Sequence, residues 1–240
     1  MRILALDSSG LVATVAIASE DTIIAEYTIN YKKTHSQTLI PMLDEIVRMV
    51  DLDLSEVDAI AVTSGPGSFT GLRIGSATAK GLGLALDKPI ISVPTVDSLA
   101  YNLFGTDRMI CPIMDARRNQ VYTGLYEFIE DKLVVISEQK VVDIDEIIDE
   151  INTKDRSVIF LGDGVPIHRD RIAERAKAYS FAPLHMNRQR AGAVAALGLE
   201  YYKEKRIESP AEHQPVYLRV SQAERERAEK LRREKDIDTK

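Results

Sequence analysis

Short apolar runs separated by turn residues open the chain, and they predict strands. They cover Ile3–Leu6, Val12–Ala18 and Thr22–Ile29, bounded by Gly, Ser, Asp or Glu, which is typical of three strands in a meander. The period changes at Ser36, where apolar residues recur at spacings of three and four up to about Asp51: Leu39, Met42, Leu43, Ile46 and Val50. That spacing predicts a helix with one buried face.

The first half continues with a buried strand at Ala59–Thr63, a glycine-rich loop at Ser64–Gly71, a helix at Arg73–Leu86 and a strand at Ile90–Val93. The element order is βββαβαβ, and Gly105 with the two residues after it offers a linker. We therefore expect a first lobe over residues 1–104.

The second half repeats this order. It predicts strands at Met109–Met114, Gln120–Phe128 and Lys132–Val142, a helix at Ile144–Ile151 and a strand at Val158–Leu161. An aspartate ends each first strand, Asp7 and Asp115, 108 residues apart, and a glycine loop follows each later strand, at Gly65 and Gly162, 97 residues apart. Similar offsets and the same element order indicate a duplication. A second lobe is expected over 105–220, including a helix at Ala191–Tyr202.

A duplicated βββαβ unit is the plan of the actin, sugar kinase and heat-shock ATPase class, so the predicted fold is α/β, actin-like (ASKHA, ribonuclease H-like) and two-lobed. Each lobe is expected to hold a mixed sheet with flanking helices. Analogy of fold predicts architecture only. Residues 221–240 carry seven basic and six acidic side chains and are interpreted as a charged C-terminal tail.

Charge and cysteine content narrow the function classes. The chain has 240 residues and a net charge of −6, which argues against a surface dedicated to phosphate backbones. Its single cysteine, Cys111, allows no intrachain disulfide and favours a reducing compartment. The first apolar run is too short for a signal peptide and no run is long enough to span a membrane, so we expect a cytoplasmic protein with no membrane partner.

Two clusters could bind a nucleotide. Asp7 and Asp115 are candidates to hold hydrated magnesium between the lobes, with Ser8, Ser9 and the loop glycines Gly65 and Gly67 near the phosphates. Each feature has a plainer interpretation, since aspartate at a strand end forms turns and the loop matches neither a P-loop nor the dinucleotide motif. No two of the four histidines have helical ligand spacing, so no metal site on histidine is predicted.

The predicted helix at 73–86 carries small residues on two stripes, Gly75, Ala79 and Gly83 on one and Ala77, Gly81 and Ala85 on the other. Glycine inside a helix costs about 1 kcal/mol relative to alanine. Close packing must offset that cost, either within this fold or against a partner.

Three segments carry a resemblance to a known family. Leu4–Ser9, the stretch Thr63–Gly75 and the segment Pro215–Arg219 resemble the bacterial TsaB (YeaZ) family over essentially residues 1–220, in order and with fitting spacing. The middle segment, with its Ser-Gly-Pro-Gly loop, is the most specific of the three.

The resemblance implies the actin-like fold and a part in making threonylcarbamoyladenosine beside the anticodon of tRNA. The family is regarded as the non-catalytic paralogue of TsaD, whose metal-binding His-x-x-x-His pair maps here near Thr95 and Leu99. Neither residue can replace an imidazole. By resemblance, this chain alone needs no cofactor and has no catalytic residue, and ATP and a metal are used by the partner subunits.

The resemblance also implies partners. TsaB pairs with TsaD, TsaE joins the pair, homodimers form when TsaD is absent, and tRNA contact falls mainly to TsaD. The pairing surface maps to the first two helices, here 36–51 and 73–86. The interface residues expected from this mapping are Leu39, Leu43, Ile46, Arg73, Ile74, Gly75, Ala77, Thr78 and Gly81.

Two hypotheses from different classes follow. The first is a scaffold that activates its catalytic paralogue. The second is a nucleotide-dependent phosphotransferase or ATPase of the same fold that uses Asp7, Asp115 and the glycine loops.

Overall fold

The first lobe is built on a five-stranded mixed sheet. A computed structural model describes residues 1–219, so the predicted tail at 221–240 lies outside the described residues. The strands are β1 (Arg2–Asp7), β2 (Ala13–Ser19), β3 (Ile23–Ile29), β4 (Ala59–Gly65) and β5 (Ile90–Pro94). Their order is β3-β2-β1-β4-β5. The meander β1 to β3 is antiparallel, and β1, β4 and β5 are parallel.

The second sheet repeats the first. Its strands are β6 (Met109–Asp115), β7 (Gln120–Ile129), β8 (Lys132–Asp143), β9 (Val158–Leu161) and β10 (Tyr179–Phe181). The order β8-β7-β6-β9-β10 has an antiparallel meander followed by parallel strands. The predicted duplicated two-lobe α/β fold is therefore confirmed.

Six α-helices and two short 3₁₀ turns, Leu54–Glu56 and Leu184–Met186, connect the described strands. The helices are α1 (His35–Met49), α2 (Phe69–Leu86), α3 (Thr95–Tyr101), α4 (Ile144–Asn152), α5 (Val165–Arg175) and α6 (Ala191–Lys203). Helix α2 begins four residues before its predicted start, because the Ser68 side chain caps it by accepting a hydrogen bond from the Gly71 amide. The sequence analysis missed α3, α5 and β10.

The helices cover both faces of each sheet. In the first lobe α1 and α2 pack on one face and α6 packs on the other. In the second lobe α4 and α5 pack on one face and α3 covers the other. Helices α3 and α6 also contact each other, so they lie between the two sheets. The division into 1–104 and 105–220 stays a prediction, and α6, from the second half of the sequence, packs on the first sheet.

The last described segment, residues 208–219, runs back over the first lobe, and we call it the strap. Glu208 bridges to Ile90, Pro210 covers Gly83, and Lys80 donates to two strap carbonyl oxygens at 3.1 and 3.0 Å. The strap then reaches the second lobe, where the Arg219 guanidinium donates to the Ala116 carbonyl. It therefore ties helix α2 to both lobes. No helix within residues 1–219 has the length and hydropathy needed to cross a bilayer.

Candidate functional site

A deep cleft of about 1340 Å³ opens between the lobes. The loops after β1 and β4, the start of α2 and the strap line it on the first lobe, and the turn after β6 and the loop after β9 line it on the second. Such a position, at the carboxyl ends of parallel strands, is where α/β sheets hold ligands. The lining residues with polar or aromatic side chains are Ser9, Lys32, Ser68, Phe69, Thr70, Arg73, Asp115, Arg117, Tyr122, Asp163, Tyr217 and Arg219.

Asp7 lies behind the cleft wall and does not line the cleft. Its side chain is fully buried, and its Oδ1 accepts hydrogen bonds from the Ser9 amide at 2.7 Å and the Thr63 hydroxyl at 2.9 Å. Its Oδ2 has no hydrogen-bond partner among the described residues. Burial raises the pKa of this carboxyl above its usual range, although the hydrogen bonds from Ser9 and Thr63 oppose the shift.

The glycine loop, whose residues Gly65 and Gly67 are candidates for phosphate binding, packs against the β1–β2 turn. The Ser68 amide donates to the Ser9 carbonyl at 2.6 Å. A Cβ on Gly67 or Gly71 would meet the carbonyl oxygen of Ser9 or Ser8 at 2.3 or 2.0 Å. These glycines therefore allow two backbone segments to pack closely, which is an alternative to phosphate binding. Two of the loop's amide groups, those of Ser68 and Gly71, are already hydrogen-bonded within the chain.

The second lobe contributes Asp115 and Asp163 to the opposite wall. Asp115 is exposed and its Oδ1 accepts a hydrogen bond from the Arg117 amide at 2.8 Å, which is a turn-forming role. The Asp115 amide donates to Asp163 Oδ1 at 3.1 Å, and burial raises the pKa of Asp163. Within residues 1–219, no three His, Cys, Asp or Glu side chains are grouped so that they could hold a metal ion.

Of the six candidate nucleotide-binding residues, the cleft surface includes Ser9, Gly67 and Asp115 but not Asp7, Ser8 or Gly65. The Ser8 hydroxyl donates to the Gly71 carbonyl at 2.9 Å, and Gly65 packs against the Val216 carbonyl with a positive φ of 121°. Three of the six candidates therefore lie at the cleft surface, and the other three do not line the cleft.

Comparisons with known proteins identify the family. The profile described as "TsaD: tRNA N6-adenosine threonylcarbamoyltransferase" matches residues 22–227. The Bacillus subtilis tRNA threonylcarbamoyladenosine biosynthesis protein TsaB is 36% identical over 225 residues, which cover 93% of this chain and 96% of that protein. The chain belongs to the TsaB (YeaZ) family.

Two further relatives agree with this assignment. The Escherichia coli TsaB protein is 35% identical over 130 residues, 53% of this chain and 55% of that one. The solved structure of YeaZ from Pseudomonas aeruginosa superposes with a TM-score of 0.78 at 26% identity, and covers 90% of this chain and 99% of that one. Membership in the TsaB family associates this chain with threonylcarbamoyladenosine biosynthesis.

The interface residues expected from the TsaB resemblance do not all lie at the surface. Leu39, Leu43 and Ile46 are at most 5% exposed and belong to the core between α1 and the first sheet. Gly75 is buried against the Ser8 hydroxyl. These four residues pack within the chain's own core, so their contact with a partner stays a prediction.

The other expected interface residues do reach the surface of this TsaB-family chain. Arg73, Ala77 and Gly81 are exposed, and Ile74 and Thr78 are half-buried. No atom lies within 4 Å of a Cβ built on Gly81. The two stripes of α2 therefore differ: the stripe with Gly75 and Gly83 packs inside the fold, and the stripe with Gly81 faces outward.

The sequence analysis missed several residues of the cleft. Neither the cations Lys32, Arg117 and Arg219 nor the aromatic Tyr217 was singled out individually, although Tyr217 and Arg219 lie in the Pro215–Arg219 segment that carries the resemblance. No local pattern signals Lys32 or Arg117, because they meet in the cleft only through the packing of the two lobes.

Proposed function

We propose that this chain is a non-catalytic scaffold subunit that pairs with TsaD and brings TsaE to the pair, and so supports threonylcarbamoyl transfer to the tRNA adenosine beside the anticodon. One observation carries the proposal: α2 presents an open stripe of small residues, Ala77, Gly81 and Ala85, to the outside of the fold. A glycine whose cost is not offset within its own chain is expected where a second helix approaches closely.

Helices α1 and α2 also expose large apolar side chains. Leu84 on α2 is 65% exposed, and Ile40 and Met49 on the adjoining helix α1 are 51% and 75% exposed. Exposed apolar clusters on a folded protein favour a protein interface. The expected homodimer would use the same face when TsaD is absent.

The residues at the TsaD metal-ligand positions support the non-catalytic assignment. Thr95 and Leu99 lie four residues apart in α3, so they share one face of that helix as a ligand pair would. Both side chains are fully buried, and neither offers an imidazole. Catalysis is therefore assigned to TsaD, which would supply the metal.

The alternative, a phosphotransferase, needs amide groups and carboxylates that face a shared ligand. Asp7 does not line the cleft, and the Ser68 amide is engaged by Ser9. Calorimetry with Mg-ATP tests this alternative. Micromolar binding that disappears in Asp7→Ala would favour it over the scaffold.

Reconstitution tests the proposal. TsaD, TsaE, ATP, tRNA and threonylcarbamoyl-AMP are combined with and without this chain, and the modified adenosine is quantified. We expect product only when both this chain and TsaD are present. Gly81→Arg should abolish pairing with TsaD because it fills the open stripe, whereas the matched Gly81→Ala should pair normally. Product formation that does not depend on this chain would refute the proposal.

A further inference from the structure

The cleft is large and positively charged on a protein that is negatively charged overall. Its volume of about 1340 Å³ exceeds the range of about 300–1000 Å³ usual for small-molecule pockets. Four cations line it, Lys32, Arg73, Arg117 and Arg219, against the two acids of the second lobe, Asp115 and Asp163. The chain as a whole has a net charge of −6, so this concentration of positive charge is local.

Within residues 1–219, no carboxylate forms an ion pair with the cleft cations. Elsewhere in residues 1–219 arginines such as Arg2, Arg171 and Arg190 form ion pairs with acidic side chains. Among the described residues, no such pair involves the four cleft cations or the neighbouring Arg118. Cleft cations that no described carboxylate neutralises are suited to an anionic partner with several charges.

The turn that carries two of these arginines has an unusual backbone. Arg117, Arg118 and Asn119 are consecutive residues with φ of 62°, 56° and 63°, a conformation that L side chains adopt at a cost. Asn119 holds the turn through side-chain hydrogen bonds to both carboxylate oxygens of Asp143, at 3.1 and 2.9 Å. Glycine would make such a turn at lower cost. The two arginines instead place positive charge at the edge of the cleft, which Arg117 lines.

An aromatic pair stands beside the cations. Phe69 and Tyr217 are 4.5 Å apart between ring centroids, with planes at 33°. The Arg73 guanidinium lies 4.0 Å over the Phe69 ring, and Tyr217 remains 38% exposed. A positively charged groove with an accessible aromatic ring is the arrangement by which proteins bind single-stranded nucleic acid, since phosphates meet the cations and bases stack on the rings.

We propose that a single-stranded loop of RNA lies in this cleft and that one of its bases stacks on Tyr217. Its phosphates would lie on Lys32, Arg117 and Arg219, and on Arg118 beside the cleft. The inference rests on the proposed function, because that pathway acts on an RNA. It assigns RNA contact to this chain as well as to its partner. A small nucleotide fits less well, because the Ser68 amide is already engaged and the buried Asp7 carboxyl lies behind the wall.

The test is fluorescence anisotropy of a labelled RNA hairpin titrated with the full-length chain at several salt concentrations. We expect a Kd of order 10⁻⁶–10⁻⁴ M near physiological salt that weakens as salt rises. Arg117→Glu with Arg118→Glu should weaken binding at least about tenfold and lower the salt slope by about 1–2. The matched control is Arg108→Glu with Arg169→Glu, which makes the same charge change outside the cleft and should bind nearly as well as the unchanged chain.

Three further variants separate binding from folding. Arg117→Asn with Arg118→Asn suits the left-handed turn and should also weaken binding and lower the salt slope. Tyr217→Ala should weaken binding about fivefold or more, whereas Tyr217→Phe keeps the ring and should bind normally. Thermal melts show whether each variant is folded.

Three results would overturn the inference: no anisotropy change at about 100 μM protein in low salt, equal loss in the control pair, or displacement of the RNA by ATP. Equal affinity for an RNA duplex would overturn the single-stranded part. The anisotropy experiment needs no TsaD, so a negative result would refute the RNA proposal alone. The scaffold proposal is tested separately by the reconstitution.

Discussion

Alanine substitution at two glycines of the same helix, Gly81 and Gly71, should change stability in opposite directions. At Gly81 a Cβ meets no atom within 4 Å, so Gly81→Ala gains the helix propensity difference of about 1 kcal/mol without a clash. For a chain of this size that gain raises Tm by roughly 2–4 °C.

At Gly71 the same change forces a Cβ to within 2.0 Å of the Ser8 carbonyl oxygen. Overpacking of this kind costs ~1–3 kcal/mol. The shift of the Ser8 backbone also strains the 2.9 Å hydrogen bond from the Ser8 hydroxyl to the Gly71 carbonyl, worth about 1 kcal/mol. After the propensity gain of about 1 kcal/mol is subtracted, Gly71→Ala should lose ~1–3 kcal/mol.

Denaturant unfolding and thermal melts of the two variants and of the double variant measure these changes. The sites are ten residues apart, about 15 Å along a helix, so their effects should add. If both single variants shift stability in the same direction, the assignment of one stripe to the fold and the other to the surface is wrong.

Three further predictions concern buried groups. Burial raises the pKa of Asp7 above the ordinary value of 3.8, so the folded state holds this proton more tightly than the unfolded state. Stability should therefore fall as the pH rises above that value. Asp7→Asn should flatten this dependence when unfolding is measured from about pH 4 to pH 7. The Tyr126 hydroxyl donates to Asp97 at 2.8 Å, so Tyr126→Phe leaves a half-buried carboxyl short of a donor and should cost ~1–3 kcal/mol in denaturant unfolding. The Tyr201 hydroxyl lies 3.4 Å from Asp97, so Tyr201→Phe should cost less. Burial raises the pKa of the Cys111 thiol to about 12, so a maleimide reagent at neutral pH should label Cys111 only after denaturation. Labelling of the native chain would contradict the burial of this thiol.

Periodic elements could be predicted from the sequence because each buries one face. The alternating strands and the three-and-four spacing of α1 carry their own signal. Helix α3 was missed because five of its seven residues are buried, which removes the polar face that marks a helix. Helix α5 was missed for the opposite reason, since its few buried positions, Val165, His168 and Ile172, give a weak apolar stripe.

The candidate site was predicted less well, because it depends on contacts distant in sequence. The resemblance located the helices of the proposed interface, but periodicity cannot say which of their residues face outward. Leu39 and Gly81 illustrate this: one is an apolar residue turned into the core and the other a glycine left open. The cleft cations come from four separate segments that only the folded lobes bring together, around Lys32, Arg73, Arg117 and Arg219.

Helix α2 connects the two surfaces for which functions are proposed. Its amino-terminal end carries Phe69 and Arg73 into the cleft, and its outward stripe at Gly81 lies farther along the same rigid element. The strap fixes this helix through Lys80 and Gly83 and ends at Arg219 on the second lobe. A partner helix on the open stripe would therefore bind an element whose other end holds Phe69 of the aromatic pair.

A substitution that weakens pairing without moving α2, such as Gly81→Arg, should leave RNA binding by the isolated chain unchanged. Gly81 contacts neither the strap nor the cleft lining. Anisotropy with the labelled hairpin measures this, and a parallel loss of RNA affinity in Gly81→Arg would show that the two surfaces are not separable.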